Sequence, residues 1–149
     1  MRTVADILEA KSVITPTIDP HALVIDALHI MKAENISYVV ALENGTFKGI
    51  FSERDYARNV ALEGKSSSNC PVRQAMSVGM PVVTTYTTAE ECIHMMLESK
   101  ARYLPVIEEG KWLGVITIHD VLREALRSKE AVFDSYLTER LINEGGSIY

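Results

Sequence analysis

Apolar residues fall at helical spacing twice along this chain, at Val24, Ala27, Leu28 and Met31 and again at Ala89, Cys92, Ile93 and Met96. Positions i, i+3, i+4 and i+7 share one face of an α-helix, so each set predicts an amphipathic helix. A short continuous apolar run follows each helix, YVVAL at 38–42 and YLPVI at 103–107, and reads as a buried strand. The turns Glu43-Asn44-Gly45 and Glu108-Glu109-Gly110 come next, then FKGIF (47–51) and WLGVI (112–116). Each pair of runs therefore predicts a β-hairpin. A second helix is expected from Ser52 to near Leu62 and from Thr117 to near Ser128, and a short strand near Thr17-Ile18 or Val82-Val83.

These elements are written twice. A constant offset of 65 aligns residues 16–58 with 81–123 and makes nine positions identical, among them Pro16/Pro81, His29/His94, Met31/Met96, Tyr38/Tyr103, Gly49/Gly114 and Asp55/Asp120. Chance would give about two or three, so the chain carries an internal duplication. Upstream, VADIL (4–8) resembles VRQAM (72–76), but at an offset of 68. The polar stretch EGKSSSNCP (63–71) reads as a linker. The expected organisation is a first repeat with its lead-in at 1–62, the linker, a second repeat at 72–128, and a C-terminal helical extension and tail at 129–149. In that extension Val132, Phe133, Tyr136, Leu137 and Leu141 recur at helical spacing before Gly145-Gly146, which suits docking or pairing with another copy. One half alone is too small to bury its sheet, so the halves are expected to pack about a pseudo-twofold axis as an α+β fold.

Composition narrows the function classes. The 149 residues are 47% apolar and 23% charged with a net charge of −5, which suits a soluble domain and argues against a nucleic-acid surface. No apolar run approaches a membrane span, and MRTVADILEAKSV lacks the apolar core of a signal peptide, so a cytoplasmic location is expected. Cys70 and Cys92 form no CxxC and read as free thiols, with Cys92 on a buried helical face. His29 and His94 lie off the apolar face and read as solvated, and no Cys/His cluster has metal-site spacing. No catalytic triad or GxSxG is present, so the chain is read as a non-enzyme.

The candidate chemistry lies in GIFSERD (49–55) and GVITIHD (114–120), which close the two copies. Ser52-Glu53-Arg54-Asp55 and Thr117-Ile118-His119-Asp120 both place a hydroxyl three residues before a carboxylate at a strand-to-helix junction. That pattern is close to a helix capping box. The same geometry suits a nucleotide: a helix N-terminus favours phosphate, and a carboxylate one turn in accepts hydrogen bonds from the vicinal hydroxyls of a ribose. Gly49 and Gly114 allow close approach of backbone or ligand. Chemistry alone does not decide between capping and binding.

The duplicated unit with these two motifs, the lead-in VADIL and the strand YLPVI resembles a tandem pair of cystathionine-β-synthase (CBS) domains, a Bateman module, from about Val4 to Leu126. The resemblance implies two βαββα-type repeats and a regulatory role: binding AMP foremost, or ADP, ATP, NAD(H) or S-adenosylmethionine, with no catalytic cofactor. It implies that Asp55 and Asp120 hold ribose, with Ser52 and Thr117 beside them. Each site would be composite, with Ser52, Arg54 and Asp55 facing Met80-Pro81-Val82 and Arg102-Tyr103, and Thr117, His119 and Asp120 facing Thr15-Pro16-Thr17 and Ser37-Tyr38. Arg54 and Arg102 would give the first site more fixed charge, whereas His119 and Ser37 stand at the matching positions of the second, where His119 adds pH dependence. Val40 in place of the second copy's Pro105 alters one base pocket. The resemblance further implies a homodimer and an output read by a separate effector protein. The rival expectation is a structural or dimerisation module whose motifs are caps and nothing more.

Overall fold

A computed structural model describes residues 2–12, 14–127 and 135–144. The fold is α+β, with two small sheets and, among the described residues, seven α-helices. The elements run α1 (Val4–Ala10), β1 (Thr17–Ile18), α2 (Val24–Glu34), β2 (Tyr38–Glu43), β3 (Thr46–Ser52), α3 (Glu53–Tyr56), α4 (Val72–Ala75), α5 (Ala89–Ser99), β4 (Tyr103–Glu108), β5 (Lys111–Thr117), α6 (Ile118–Arg127) and α7 (Ser135–Asn143). Both predicted amphipathic helices and both hairpins are present. The second helix of the first copy differs from expectation, because after α3 the chain widens into a π-helical turn over Ala57–Ala61. That turn carries Val60 into the core and lets the Asn59 amide donate to the Ala75 carbonyl at 2.9 Å. Of the C-terminal extension, Leu141 is buried, while Val132, Phe133 and Gly145-Gly146 lie outside the described residues.

The chain forms two compact units. One is continuous, Ile14–Gly79, and holds the sheet β1-β2-β3, with β1 parallel and β3 antiparallel to the central β2. Its core joins Val24, Ala27 and Met31 of α2 to Val39, Ala41, Phe51 and Val60, and α4 adds Val72 and Ala75. The other unit combines the N-terminal segment with the chain from Met80 onward. In it Ala89, Cys92, Ile93 and Met96 of α5 pack with Leu104, Val106, Ile116, Ile118 and Val121, and α1 adds Val4 and Ile7. The lead-in helix α1 thus packs with the second sheet, and α4 with the first. Full burial of side chains this size contributes about 1.5–3 kcal/mol each, which is how two small sheets form cores. Burial pushes the Cys92 thiol up to about 12, so it packs as a small apolar group, and both cysteines are free.

The duplication extends to backbone detail. Val40 faces Ile50 across β2 and β3, and 65 residues on Pro105 faces Val115 across β4 and β5. The ladders slip at the same place, between Ala41 and Leu42 and between Val106 and Ile107. One difference follows from a single residue. The Val40 N–H donates to the Pro16 carbonyl at 3.0 Å and helps make Thr17-Ile18 a strand. Pro105 has no N–H to give, so the matching segment keeps only an isolated parallel bridge from Val83 to Val106. The strand expected at Val82-Val83 is reduced accordingly.

Gly49 and Gly114, beside the two ladder slips, admit chain rather than ligand. A Cβ on Gly49 would lie 2.7 Å from the Ser77 carbonyl oxygen and 2.8 Å from Met76 Sδ. Ser77 is held there by paired backbone bonds with Ile50, at 3.0 and 2.8 Å. The nearest atoms to a Cβ on Gly114 belong to the Leu8 side chain, with Cδ2 at 2.9 Å. A backbone carbonyl whose residue is held by two hydrogen bonds cannot yield as a leucine methyl can. Gly49→Ala should therefore lower unfolding free energy by about 1–3 kcal/mol and Gly114→Ala by less than about 1 kcal/mol, read from urea denaturation midpoints. Equal losses would show that the two approaches are equally rigid.

Candidate functional site

Each copy gathers its candidate residues at one end of its own sheet. In the Ile14–Gly79 unit, Tyr38 pairs with Ser52, the Glu53 N–H donates to the Ser37 carbonyl at 3.1 Å, and Pro16 enters beside Val40. Thr15, Pro16, Thr17, Ser37 and Tyr38 therefore lie at the sheet end where Ser52, Arg54 and Asp55 begin α3. In the other unit Tyr103 pairs with Thr117, the Ile118 N–H donates to the Arg102 carbonyl at 3.0 Å, and Val83 bridges Val106. Met80, Pro81, Val82, Arg102 and Tyr103 thus share an end with Thr117, His119 and Asp120. Tyr38 is only 5% exposed and belongs to the interior, whereas Tyr103 is half-buried with the Arg102 guanidinium 5.6 Å from its ring centroid. Arg54 is half-buried and His119 exposed on the first turns of α3 and α6.

Both motifs act as caps. The Ser52 N–H and hydroxyl donate to Asp55 Oδ2 at 2.9 and 3.0 Å, and the Asp55 N–H donates back to Ser52 Oγ at 3.3 Å. The Thr117 N–H donates to Asp120 Oδ2 at 2.8 Å, and the Asp120 N–H to Thr117 Oγ1 at 3.2 Å. Such boxes satisfy helix-end N–H groups that would otherwise lack a partner. Capping alone does not require burial, since α1 and α5 carry the same box as Thr3/Asp6 and Thr88/Glu91, with Asp6 half-buried and Glu91 exposed. Asp55 and Asp120 differ in being 7% and 6% exposed.

Burial at these two positions is compensated by a further donor from a distant segment. The Ser77 hydroxyl donates to Asp55 Oδ1 at 2.6 Å. The Lys11 ammonium donates to Asp120 Oδ2 at 2.9 Å and to the Val115 carbonyl at 2.9 Å, while Arg123 approaches Asp120 Oδ1 at 3.5 Å. Neither Lys11 nor Ser77 stands out in the sequence, since at the lead-in offset of 68 Lys11 matches Gly79 and Ser77 matches Glu9. At the carboxylates themselves, the Lys11 ammonium meets Asp120 and the Ser77 hydroxyl meets Asp55.

Electrostatics follow from those surroundings. Burial pushes the Asp55 carboxyl above its ordinary value, against the opposing pull of hydrogen bonds from Ser77 and Ser52 and of the Arg54 charge. The less buried Asp6, in the same box, is held below its ordinary value by the Thr3 backbone and side-chain hydrogen bonds. No group of three or more His, Cys, Asp or Glu that could hold a metal occurs among the described residues, nor a helix long and apolar enough to cross a membrane.

The family model for the CBS domain matches twice, over residues 3–62 and 72–127. CBS domain-containing protein CBSX3, mitochondrial, of Arabidopsis thaliana is 30% identical over 105 residues, which are 67% of this chain and 51% of that protein. This chain therefore spans about half the length of that relative. A CBS-domain protein from Burkholderia ambifaria superposes with a TM-score of 0.78 at 31% identity, over 89% of this chain and 99% of that one. CBSX2, solved in complex with AMP, superposes with a TM-score of 0.71 at 23% identity, over 87% and 100% of the two chains.

A carboxyl whose folded-state pKa is raised gives stability that is fully present below its unfolded pKa and is lost as pH rises through the folded one. Asp55→Asn removes that titration. The stability of wild type relative to Asp55→Asn should therefore grow as pH falls through the Asp55 pKa, measured by denaturation in a pH series. A difference that shrinks on acidification would mean that hydrogen bonding, rather than burial, dominates at Asp55.

Proposed function

Because the chain belongs to the CBS-domain family, with the domain matched twice in tandem, we propose that it binds an adenosyl nucleotide, AMP before ADP, ATP, NAD(H) or S-adenosylmethionine. CBS pairs are regulatory ligand-binding modules, and CBSX2 with AMP bound supports the nucleotide class. The observation that carries the reading is Asp55, a buried carboxylate at a strand-to-helix junction whose Oδ1 is met by the Ser77 hydroxyl. A ribose offers vicinal hydroxyls of the same donor type, so it can take that bond over with little net change in hydrogen bonding. Ser52 holds the other oxygen and fixes the carboxylate's direction, Arg54 supplies a planar cation for phosphate, and the second copy repeats the hydroxyl and carboxylate in sequence as Thr117 and Asp120.

In this reading the chain works in the cytoplasm, pairs with a second copy and passes its signal to an effector protein without catalysis of its own. Ligand binding shifts whichever conformation holds the nucleotide better, and the partner responds to that population. A structural reading has its own supporting observation, that Ser77 and Lys11 already satisfy both carboxylates. The two readings part in calorimetric titration and thermal shift with AMP, ADP, ATP, NADH and S-adenosylmethionine. The expected result is saturable binding by at least one nucleotide, lost in Asp55→Ala. If every titration is flat and Asp55→Ala and Asp120→Ala only lower the melting temperature, the motifs are architecture.

A further inference from the structure

The two aspartates are copies in sequence, but their surroundings in the fold are not. At Asp55, Oδ2 receives the N–H and hydroxyl of its own cap residue, and Oδ1 receives the Ser77 hydroxyl. Ser77 lies on an exposed stretch, and its hydroxyl turns away by rotation about one bond. At Asp120 the second donor to Oδ2 is the Lys11 ammonium, which stands where Ser52 lends its hydroxyl in the first copy. The Lys11 side chain is 17% exposed and that of Asp120 5% exposed, and Lys11 is tied a second time to the Val115 carbonyl on β5. Here donor and acceptor both carry charge, whereas the hydroxyl that meets Asp55 is neutral. A neutral ribose hydroxyl that displaced the ammonium would leave a largely buried cation without its carboxylate.

We propose that Lys11 is an internal plug: it fills the Asp120 carboxylate, so that of the two duplicated motifs only the one ending in Asp55 is open to a nucleotide. The plug rests on the nucleotide reading above and makes it finer, because it assigns the ligand to one motif and names the residue that closes the other. Lys11 acts on specificity through Asp120 and not by touching the ligand. It reaches that carboxylate because the N-terminal segment packs in the same unit as β5 and α6, so a residue of the first repeat's lead-in closes the motif at the end of the second.

Stoichiometry tests this. The full chain is titrated calorimetrically with AMP, ADP, ATP, NADH and S-adenosylmethionine as wild type, Lys11→Met, Asp55→Ala, Asp120→Ala and Lys11→Met/Asp55→Ala, and folding is checked by thermal unfolding. The expected result is one nucleotide per wild-type chain, lost in Asp55→Ala and kept in Asp120→Ala. Lys11→Met should then take two nucleotides, and the double variant one. Lys11→Gln, which keeps a donor for the Val115 carbonyl, replaces Lys11→Met if that protein does not fold. Two nucleotides on wild type, one on either uncharged Lys11 variant, or loss in Asp120→Ala instead of Asp55→Ala would each overturn the plug. Weaker binding in Lys11→Met would make Lys11 a phosphate contact and would also overturn it. Those outcomes leave the nucleotide reading standing, whereas no binding by any of the proteins would remove both.

Discussion

A carboxylate taken out of water must be met by donors, and that requirement at Asp55 and Asp120 organises much of what surrounds them. Capping supplies the first donors locally, from the residue that ends the strand. Local donors do not saturate a carboxylate, and at less than a tenth exposure solvent does not complete the set. The remaining donors arrive from segments far away in sequence, Ser77 after α4 and Lys11 after α1. The short helices preceding those residues bury Val72 and Ala75 in one core and Val4 and Ile7 in the other. At Gly49 the absence of a side chain lets the Ser77 backbone pair with Ile50. Packing, glycine and aspartate therefore answer to one another.

The same scaffold written twice has kept its backbone more faithfully than its chemistry. Strand register and ladder slip recur at an offset of 65 because turn geometry and side-chain alternation fix them together. Side chains that do not set register are free to diverge. Pro105 removes one ladder bond and with it the counterpart of β1, and Lys11 sets a charge where the other copy has a hydroxyl. Duplication followed by such changes has left two motifs alike in sequence and unlike in the donors that meet their carboxylates.

Much of the fold was legible in advance because its signals are local. Helical spacing at Val24–Met31 and Ala89–Met96 and the apolar runs flanking a tight turn need no knowledge of the rest of the chain. The capping boxes were legible for the same reason, since hydroxyl and carboxylate lie one helical turn apart. The π-helical turn at Ala57–Ala61 left no mark in the residue pattern, and the packing of α1 with the second sheet was equally silent. The motif glycines were recognised as places of close approach, but whether chain or ligand approaches depends on residues 8, 76 and 77, which the local pattern does not include.

By itself, then, the sequence determined the duplication, the helix and hairpin order, the α+β class and the position of two hydroxyl–carboxylate pairs, because each is fixed by residues within a few positions of one another. Tertiary structure alone decided that both carboxylates are buried, that burial raises the Asp55 carboxyl above its ordinary value, and that a serine completes the first and a lysine the second. The partners of Asp55 and Asp120 stand 22 and 109 residues away, a distance over which periodicity carries no information. Only the folded chain, by packing α1 and α4 where it does, brings those donors within reach.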